Sequence, residues 1–462
     1  MTRSDDPTDS TVDPRPTPRP LRWLGLHRSP YDRQILRLAL PALGALAAEP
    51  IFLLTDSAII GRLGTPQLAG LGVASMVLST LVGLFVFLAY ATTGSVARAL
   101  GAGDRPAAIS HGVDGLWLAL GLGIGIATIG WLAAPAIVAG FGPSDAAGEH
   151  ALTYLRISLL GVPAMFLTFA GTGLLRGLQD TRTPLAVSTA MYLVNIVLNL
   201  LLVYGVGMGI AGAALGTVLA QVGGATAYLI MVVRWARQHR AALRPHRAGI
   251  RASARAGGPL LVRTITLRIA LLVTTFVATS FGDTALAAHQ VAFTIWSGLS
   301  LCLDAIAIAG QAIIGQALGA SQVPRTRAVA TRMNQWGVLA GLVTGLLLVV
   351  ARPLYVPLFS TDPAVRDELS AAVLVVALFL PPAGVVFSLD GVLIGAGDGP
   401  YLARAGALAL ACYLPLAAWV YVAGAGLIGL WFAFGGYLLA RLITLVWRQR
   451  QDAWLVTGYG TP

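Results

Sequence analysis

Apolar stretches long enough to cross a bilayer recur about a dozen times along this chain, and that recurrence dictates its class. They fall at residues 35–60, 67–98, 109–138, 150–173, 184–204, 211–234, 257–281, 285–317, 327–351, 367–395, 401–422 and 426–447. A hydrocarbon core ~30 Å thick needs ~20 helical residues, and each run meets that length. Lipid offers no partner for an unpaired backbone group, and no alternating barrel pattern is present, so the spans are helices. The second and eighth exceed a straight crossing and are expected to tilt, bend or include part of a turn. With 56% hydrophobic and only 11% charged residues, ordinary soluble domains are excluded.

Charge sets the orientation. The 31 basic residues are all arginine, and only Arg62, Arg352 and Arg366 fall in the loops that a cytoplasmic N-terminus places outside. This asymmetry predicts a multi-pass protein of the plasma membrane with both termini cytoplasmic. The densest run, "RWARQHRAALRPHRAGIRASAR" at residues 234–255, reads as a topology-setting loop at an anionic leaflet. The net charge of +11 is therefore orientation, and no nucleic-acid partner is expected. The first twenty residues, "MTRSDDPTDSTVDPRPTPRP", lack the apolar core of a signal peptide and read as a disordered tail. Cys302 and Cys412 lie inside spans with no disulfide or metal spacing.

Displacing the chain by 218 residues aligns it with itself almost without gaps. "LGTPQLAGLGVA" at 63–74 meets "FGDTALAAHQVA" at 281–292, "RALGAGD" meets "QALGASQ", and "GLLRGLQD" meets "GVLIGAGD". Pro135 and Pro163 meet Pro353 and Pro381. The organisation predicted is a tail (1–32), an N-lobe of six spans (33–234), an Arg-rich linker (235–256), a C-lobe of six spans (257–448) and a C-terminal tail (449–462). The expected fold is all-α, with two six-helix lobes as parallel repeats about a pseudo-twofold along the membrane normal. Such repeats with a cavity at their interface suit a secondary transporter. No G-x-x-x-x-G-K-[ST] occurs, so no cofactor is expected and an ion gradient must supply the work.

A charge at mid-bilayer costs at least ~2.5–3.5 kcal/mol and needs a reason. In the first span Glu49 and Asp56 lie seven residues apart, about 20° from register and ~10 Å apart in height, with the hinge candidate Pro50 between them. Asn195 and Asn199 share one face of the fifth span, with Tyr192 one turn below, and Thr217 and Gln221 share a face of the sixth. With Tyr154 and Met191 these are the candidates for a coupling site and its adjoining cavity; interhelical packing is the alternative reading of the amides and the threonine. In the C-lobe, Arg263, Arg268, Asp304 and Asp390 are expected to form a charge network that either couples ions or fixes packing. His289 reads as an interfacial residue, and Asp114 is open between packing and function.

Together, "PALGALAAEPIFLLTDSAIIGRLGT", "LAGLGVAS", "TTGSVARALGAGD", "RGLQDTRTP", "NIVLNLLLVYGVGMGIAGAALGT", "ALAAHQVAFTIW" and "LDGVLIGAGD" resemble the multidrug and toxic compound extrusion (MATE) family, in its DinF-like branch, over about residues 33–448. The resemblance implies twelve helices in two lobes and export of amphipathic, cationic compounds in exchange for H⁺ or Na⁺. It matches Asp56 to a first-helix acid implicated in coupling, and Tyr154, Asn195, Asn199 and Thr217 to the polar cluster around it. Asn199 stands where some relatives carry a second acid, which favours H⁺ over Na⁺. Asp390 resembles a tenth-helix acid of the family. The expected function is a proton-coupled antiporter working as a monomer on a small molecule within the bilayer. A lipid-linked precursor flippase of the same superfamily is the alternative, and an intramembrane hydrolase, lacking G-x-S-x-G and H-E-x-x-H, a remote one. At the repeat offset Asp56 meets Thr274, so the lobes differ at the acid.

Overall fold

The structure, a computed structural model, describes residues 29–459. These are helical throughout: α1 Asp32–Gly61, α2 Thr65–Phe85, α3 Phe87–Gly101, α4 Arg105–Gly140, α5 Asp145–Leu159, α6 Val162–Gly177, α7 Arg182–Leu200, α8 Gly209–Gln238, α9 Arg247–Thr279, α10 Asp283–Gly319, α11 Val323–Val350, α12 Arg352–Phe359, α13 Pro363–Gly395, α14 Gly399–Ala423 and α15 Gly426–Arg450. Eleven stretches are long and apolar enough to cross a membrane, and the pair α5–α6, bent by 49°, makes a twelfth. The second span is broken at Val86 between α2 and α3, whereas the eighth, α10, runs unbroken for 37 residues. Proline stands in the first turn of α2, α4, α6, α11, α13 and α14, where its missing N–H costs nothing.

The repeat is written into the helix boundaries. Thr65–Gly101 returns as Asp283–Gly319 and Asp145–Gly177 as Pro363–Gly395, each displaced by 218 residues. The turns after these segments also correspond. Gly103 and Ser321 take φ of 83° and 57°, and Gln179 and Gly397 take 67° and 74°, left-handed residues that close off the helix.

Three features add detail to the expected organisation. The Arg-rich linker is mostly helix, and only residues 239–246 separate α8 from α9. Its Ala- and Arg-rich sequence favours helix, and the His246 side chain accepts the Gly249 N–H at 3.3 Å as a cap. A short helix, α12, intervenes before the tenth span. Third, the C-terminal tail is not free: residues 451–459 fold back on the bundle, burying Trp454 to 2% exposure. Of the N-terminal tail, residues 1–28 lie outside the described residues.

Both described ends and the 239–246 connection share one face, here the terminal face. One hydrophobic core runs there from the N-lobe through Ile306–Leu318 of α10 and Val386–Ile394 of α13, while a separate core fills the far half of the C-lobe around Ala270, Leu369 and Tyr413. Backbones touch at this seam: a Cβ on Gly101 would overlap the Gln316 carbonyl, and one on Gly319 that of Arg98. Several hydrogen bonds between the lobes lie toward this face. Arg332 grips Asp32 through Nε (2.6 Å) and a terminal nitrogen (2.8 Å), the Trp336 indole adds a third bond at 2.9 Å, and Gln179 donates to the Ala312 carbonyl at 2.8 Å.

Candidate coupling site

Asp56 is carried on α1 into the N-lobe and buried to 4% exposure. Its Oδ1 accepts a 2.6 Å bond from Asn199 Nδ2, and its Oδ2 a 3.2 Å bond from the Tyr154 hydroxyl. Asn199 Nδ2 also donates to Asn195 Oδ1 at 3.0 Å, and Asn195 Nδ2 to Thr217 Oγ1 at 2.9 Å. The chain ends on the helix backbone, where Thr217 donates to the Ala213 carbonyl at 3.0 Å. The i, i+4 spacing of the two asparagines makes this possible, since both stand on the face of α7 that meets α1 and α8. Gly216 lets α8 approach, because a Cβ there would overlap Asn199 Oδ1.

Local backbone shape locks the arrangement. After Leu200 the fifth span widens into one π-turn, Leu201–Gly205, a form that concentrates at functional positions. From it the Tyr204 hydroxyl donates to the Ile59 carbonyl at 2.5 Å, fixing the last turn of α1 one turn beyond Asp56.

The other N-lobe candidates stand apart from this network. Glu49 is half-buried and, among the described residues, makes no hydrogen bond or ion pair; its neighbour is Tyr192, within electrostatic range, which stacks on Phe52 at 5.0 Å. Met191 packs against Gly224, and Gln221 reaches Gly161 at the α5–α6 bend. Pro50 lies inside an unbroken α1.

In the C-lobe, Asp390 is buried between two arginines. Arg263 binds its Oδ2 and Arg441 its Oδ1, each at 2.5 Å. Arg441, only 2% exposed, is absent from the network read in the sequence; its signal was a lone arginine within the apolar run "GGYLLARLITLV". Arg268 does not belong there: it is exposed, with its guanidinium against Gly83 of the N-lobe. Asp304 makes no direct ion pair but lies within electrostatic range of Arg263 and of Arg176, a buried N-lobe arginine. Arg176 belongs to the quoted "RGLQD", where it read as part of a loop.

His289 is a core residue rather than an interfacial one. It is 1% exposed, 3.4 Å from the Thr275 hydroxyl and beside the rings of Phe293 and Trp431. The Asp114 carboxylate abuts Gly249 in the first turn of α9, where the helix dipole favours negative charge.

The repeat gives the two acids a common logic. At the position of Asp56 the C-lobe has Thr274, whose hydroxyl meets that of Tyr413 at 2.6 Å, and Tyr413 stands where the N-lobe has Asn195. At the position of Asp390 the N-lobe has Thr172, paired with Tyr228 at 2.9 Å. At these two pairs of positions each lobe thus holds one acid and one neutral Thr–Tyr pair. The acids differ in kind: Asp390 is neutralised by fixed cations, and Asp56 is bonded only by neutral donors.

Residues 41–201 and 259–419 each match the family model MatE, the same 218-residue displacement again. The chain is 30% identical over 447 residues to Protein DETOXIFICATION 45, chloroplastic, of Arabidopsis thaliana, covering 90% of this chain and 79% of that one. It is also 30% identical over 442 residues to DNA damage-inducible protein F of Escherichia coli, covering 92% and 94%. In fold it matches a solved MATE in the bent conformation with a TM-score of 0.83 at 23% identity, over 95% of this chain and 99% of that one. The chain belongs to the MATE family: it is a multi-pass membrane transporter for multidrug and toxin efflux, and not an enzyme.

Proposed function

We propose that the protein is an antiporter that exports amphipathic, cationic organic compounds in exchange for H⁺ by alternating access, with Asp56 as the proton carrier. The observation that carries this reading is the environment of Asp56, a buried carboxylate whose two oxygens each accept one bond from a neutral donor and neither meets a cation. Such a group gains or loses a proton without breaking an ion pair, and its charge is costly enough away from water for protonation to reset the packing around it.

Protonation at Oδ1 removes the reason for Asn199 to donate there. The far half of α1 then repacks about Pro50, whose ring already leaves the Leu46 carbonyl without its i+4 donor. Proton and substrate exchange by linkage, each favouring a different state of the lobes. For the substrate, Glu49 with the stacked Phe52 and Tyr192 offers an unpaired carboxylate beside two aromatic rings, a surface suited to an organic cation. The closed terminal face is the cytoplasmic one in this reading, and the chain works as a monomer.

The test is efflux of a fluorescent organic cation from proteoliposomes under separately imposed pH and Na⁺ gradients. Transport driven by the pH gradient alone is expected. Driving by Na⁺ alone would reassign the ion, and driving by neither would remove the antiporter reading.

A further inference from the structure

The C-terminal segment after α15 starts on one lobe and ends on the other. Trp454 anchors it to the C-lobe, buried and donating its indole N–H to the Gln449 carbonyl at 3.1 Å. The exposed Arg327–Asp452 pair at 2.5 Å adds little, since surface ion pairs of this kind are worth at most ~1 kcal/mol. Further on, the Gly458 N–H donates to the Leu318 carbonyl of α10 at 3.1 Å.

Two N-lobe side chains then take hold of it. Arg98, from the last turn of α3, donates to the carbonyls of Val456 (2.7 Å), Gly458 (3.2 Å) and Ala396 (2.7 Å), all of the C-lobe chain. The Tyr459 hydroxyl donates to Asp104 Oδ2 at 2.6 Å, with its ring edge-on to His111 at 6.3 Å. Asp104 is itself fixed, since its Oδ1 caps α4 by accepting the Ala107 N–H at 2.8 Å. Arg98 and Asp104 flank the turn at which Gly101 and Gly319 bring the lobes into backbone contact. Parting the lobes on this face must break all four cross-lobe bonds of Arg98 and Tyr459.

We propose that residues 451–459 are a latch that holds the terminal face closed and sets how often it opens. The latch touches neither Asp56 nor Asp390, so it acts on the equilibrium between the two states and not on the ion. Charge-assisted bonds from one guanidinium to carbonyls are stronger than neutral ones, and the strap supplies two of the three carbonyls that Arg98 holds, the third being Ala396 of the turn after α13. The proposal rests on the alternating-access reading, and the test separates the two.

Spin labels are placed on cysteines at the exposed positions Gln238 and Arg404, one per lobe near the terminal face, with Cys302 and Cys412 replaced by serine. Cross-lobe distances are measured in nanodiscs, with and without an organic cation. A chain ended after Leu455 keeps Trp454 and loses the latch; Tyr459→Phe removes one bond and leaves the rest of the chain intact. The expected result is a roughly ten-fold rise in the ratio of long to short distances for the shortened chain, and a smaller shift in the same direction for Tyr459→Phe. Two distances in the wild type with an unchanged ratio in both variants would overturn the latch alone. A single distance under every condition would overturn alternating access and the latch with it.

Discussion

The hydroxyls of Thr274 and Tyr413 stand 2.6 Å apart at the place in the second lobe where the first has Asp56 and Asn195. The duplicated fold therefore sets polar residues at the same two positions twice, and the N-lobe copy carries an acid, which bonds Asn199 and Tyr154 rather than Asn195. The asymmetry has a physical consequence. The C-lobe pair is neutral in every state, whereas the N-lobe cluster changes charge when Asp56 takes a proton.

Asp56→Asn keeps the volume and one accepting oxygen, enough for the bond from Asn199, while removing the titrating group and the second acceptor that meets Tyr154. Efflux driven by a pH gradient in proteoliposomes should fall to the empty-liposome rate, while the melting temperature in detergent changes little. Retained gradient-driven efflux would sink the assignment of Asp56. Tyr154→Phe should be milder, since it removes only the longer of the two bonds, at 3.2 Å.

Gly216→Ala tests whether the cluster needs its geometry. The added methyl overlaps Asn199 Oδ1 and must push the amide away from Asp56 or push α8 away from α7. Overpacking of this sort costs ~1–3 kcal/mol, visible as a lower melting temperature, and efflux should drop with it. Adding Asn199→Ala should recover the stability, because the clash goes, but not the efflux, because the bond to Asp56 goes too. Recovery of both would show that the amide is only packing.

Asp390 provides the contrast. Asp390→Leu alone leaves Arg263 and Arg441 buried without the carboxylate they bond, a loss of ~3–5 kcal/mol by precedent for broken buried pairs. Replacing all three together by Leu and Met should recover most of that stability. If the triple variant is stable and also exports normally, the trio is structural; if stable but inactive, the C-lobe charges take part in transport.

Much of this was legible in the sequence for reasons that can be named. The spans follow from run length, and the 218-residue displacement reappears in helix ends such as Thr65 and Asp283. Asn195 and Asn199 were readable as one face because spacing on a helix fixes direction. The seven-residue spacing of Glu49 and Asp56 turns both toward α7, but at different heights, so that Asp56 reaches Asn199 while Glu49 lies beside Tyr192. Arg441 and Arg176 were missed because an arginine near the end of a span is usually a topology signal, and only tertiary contact shows that these two point inward. The fold-back of residues 451–459 was hidden because a tail with one tryptophan has no periodicity to read, and its partners Arg98 and Asp104 are more than 350 positions away.

The Asp104–Tyr459 contact gives a pH signature outside the bilayer. The Tyr459 hydroxyl bond, with help from the Ala107 N–H, lowers the pKa of Asp104 below the usual carboxylate range. The same bond raises the Tyr459 phenol above its usual value. The signs follow by linkage. Asp104, depressed in the folded state, contributes stability above its unfolded pKa, and this is lost as pH falls through the folded value. Tyr459, raised, contributes below its unfolded pKa, and this is lost as pH rises through the folded value. The contact is therefore constant across neutral pH and fails only in acid or in alkali. Phenolate absorbance followed through an alkaline titration should show it: of the 12 tyrosines, one should ionise at lower pH in Asp104→Asn than in the wild type, and in Tyr459→Phe that one late step should vanish. Superimposable curves for wild type and Asp104→Asn would mean that the hydroxyl does not meet the carboxylate in solution.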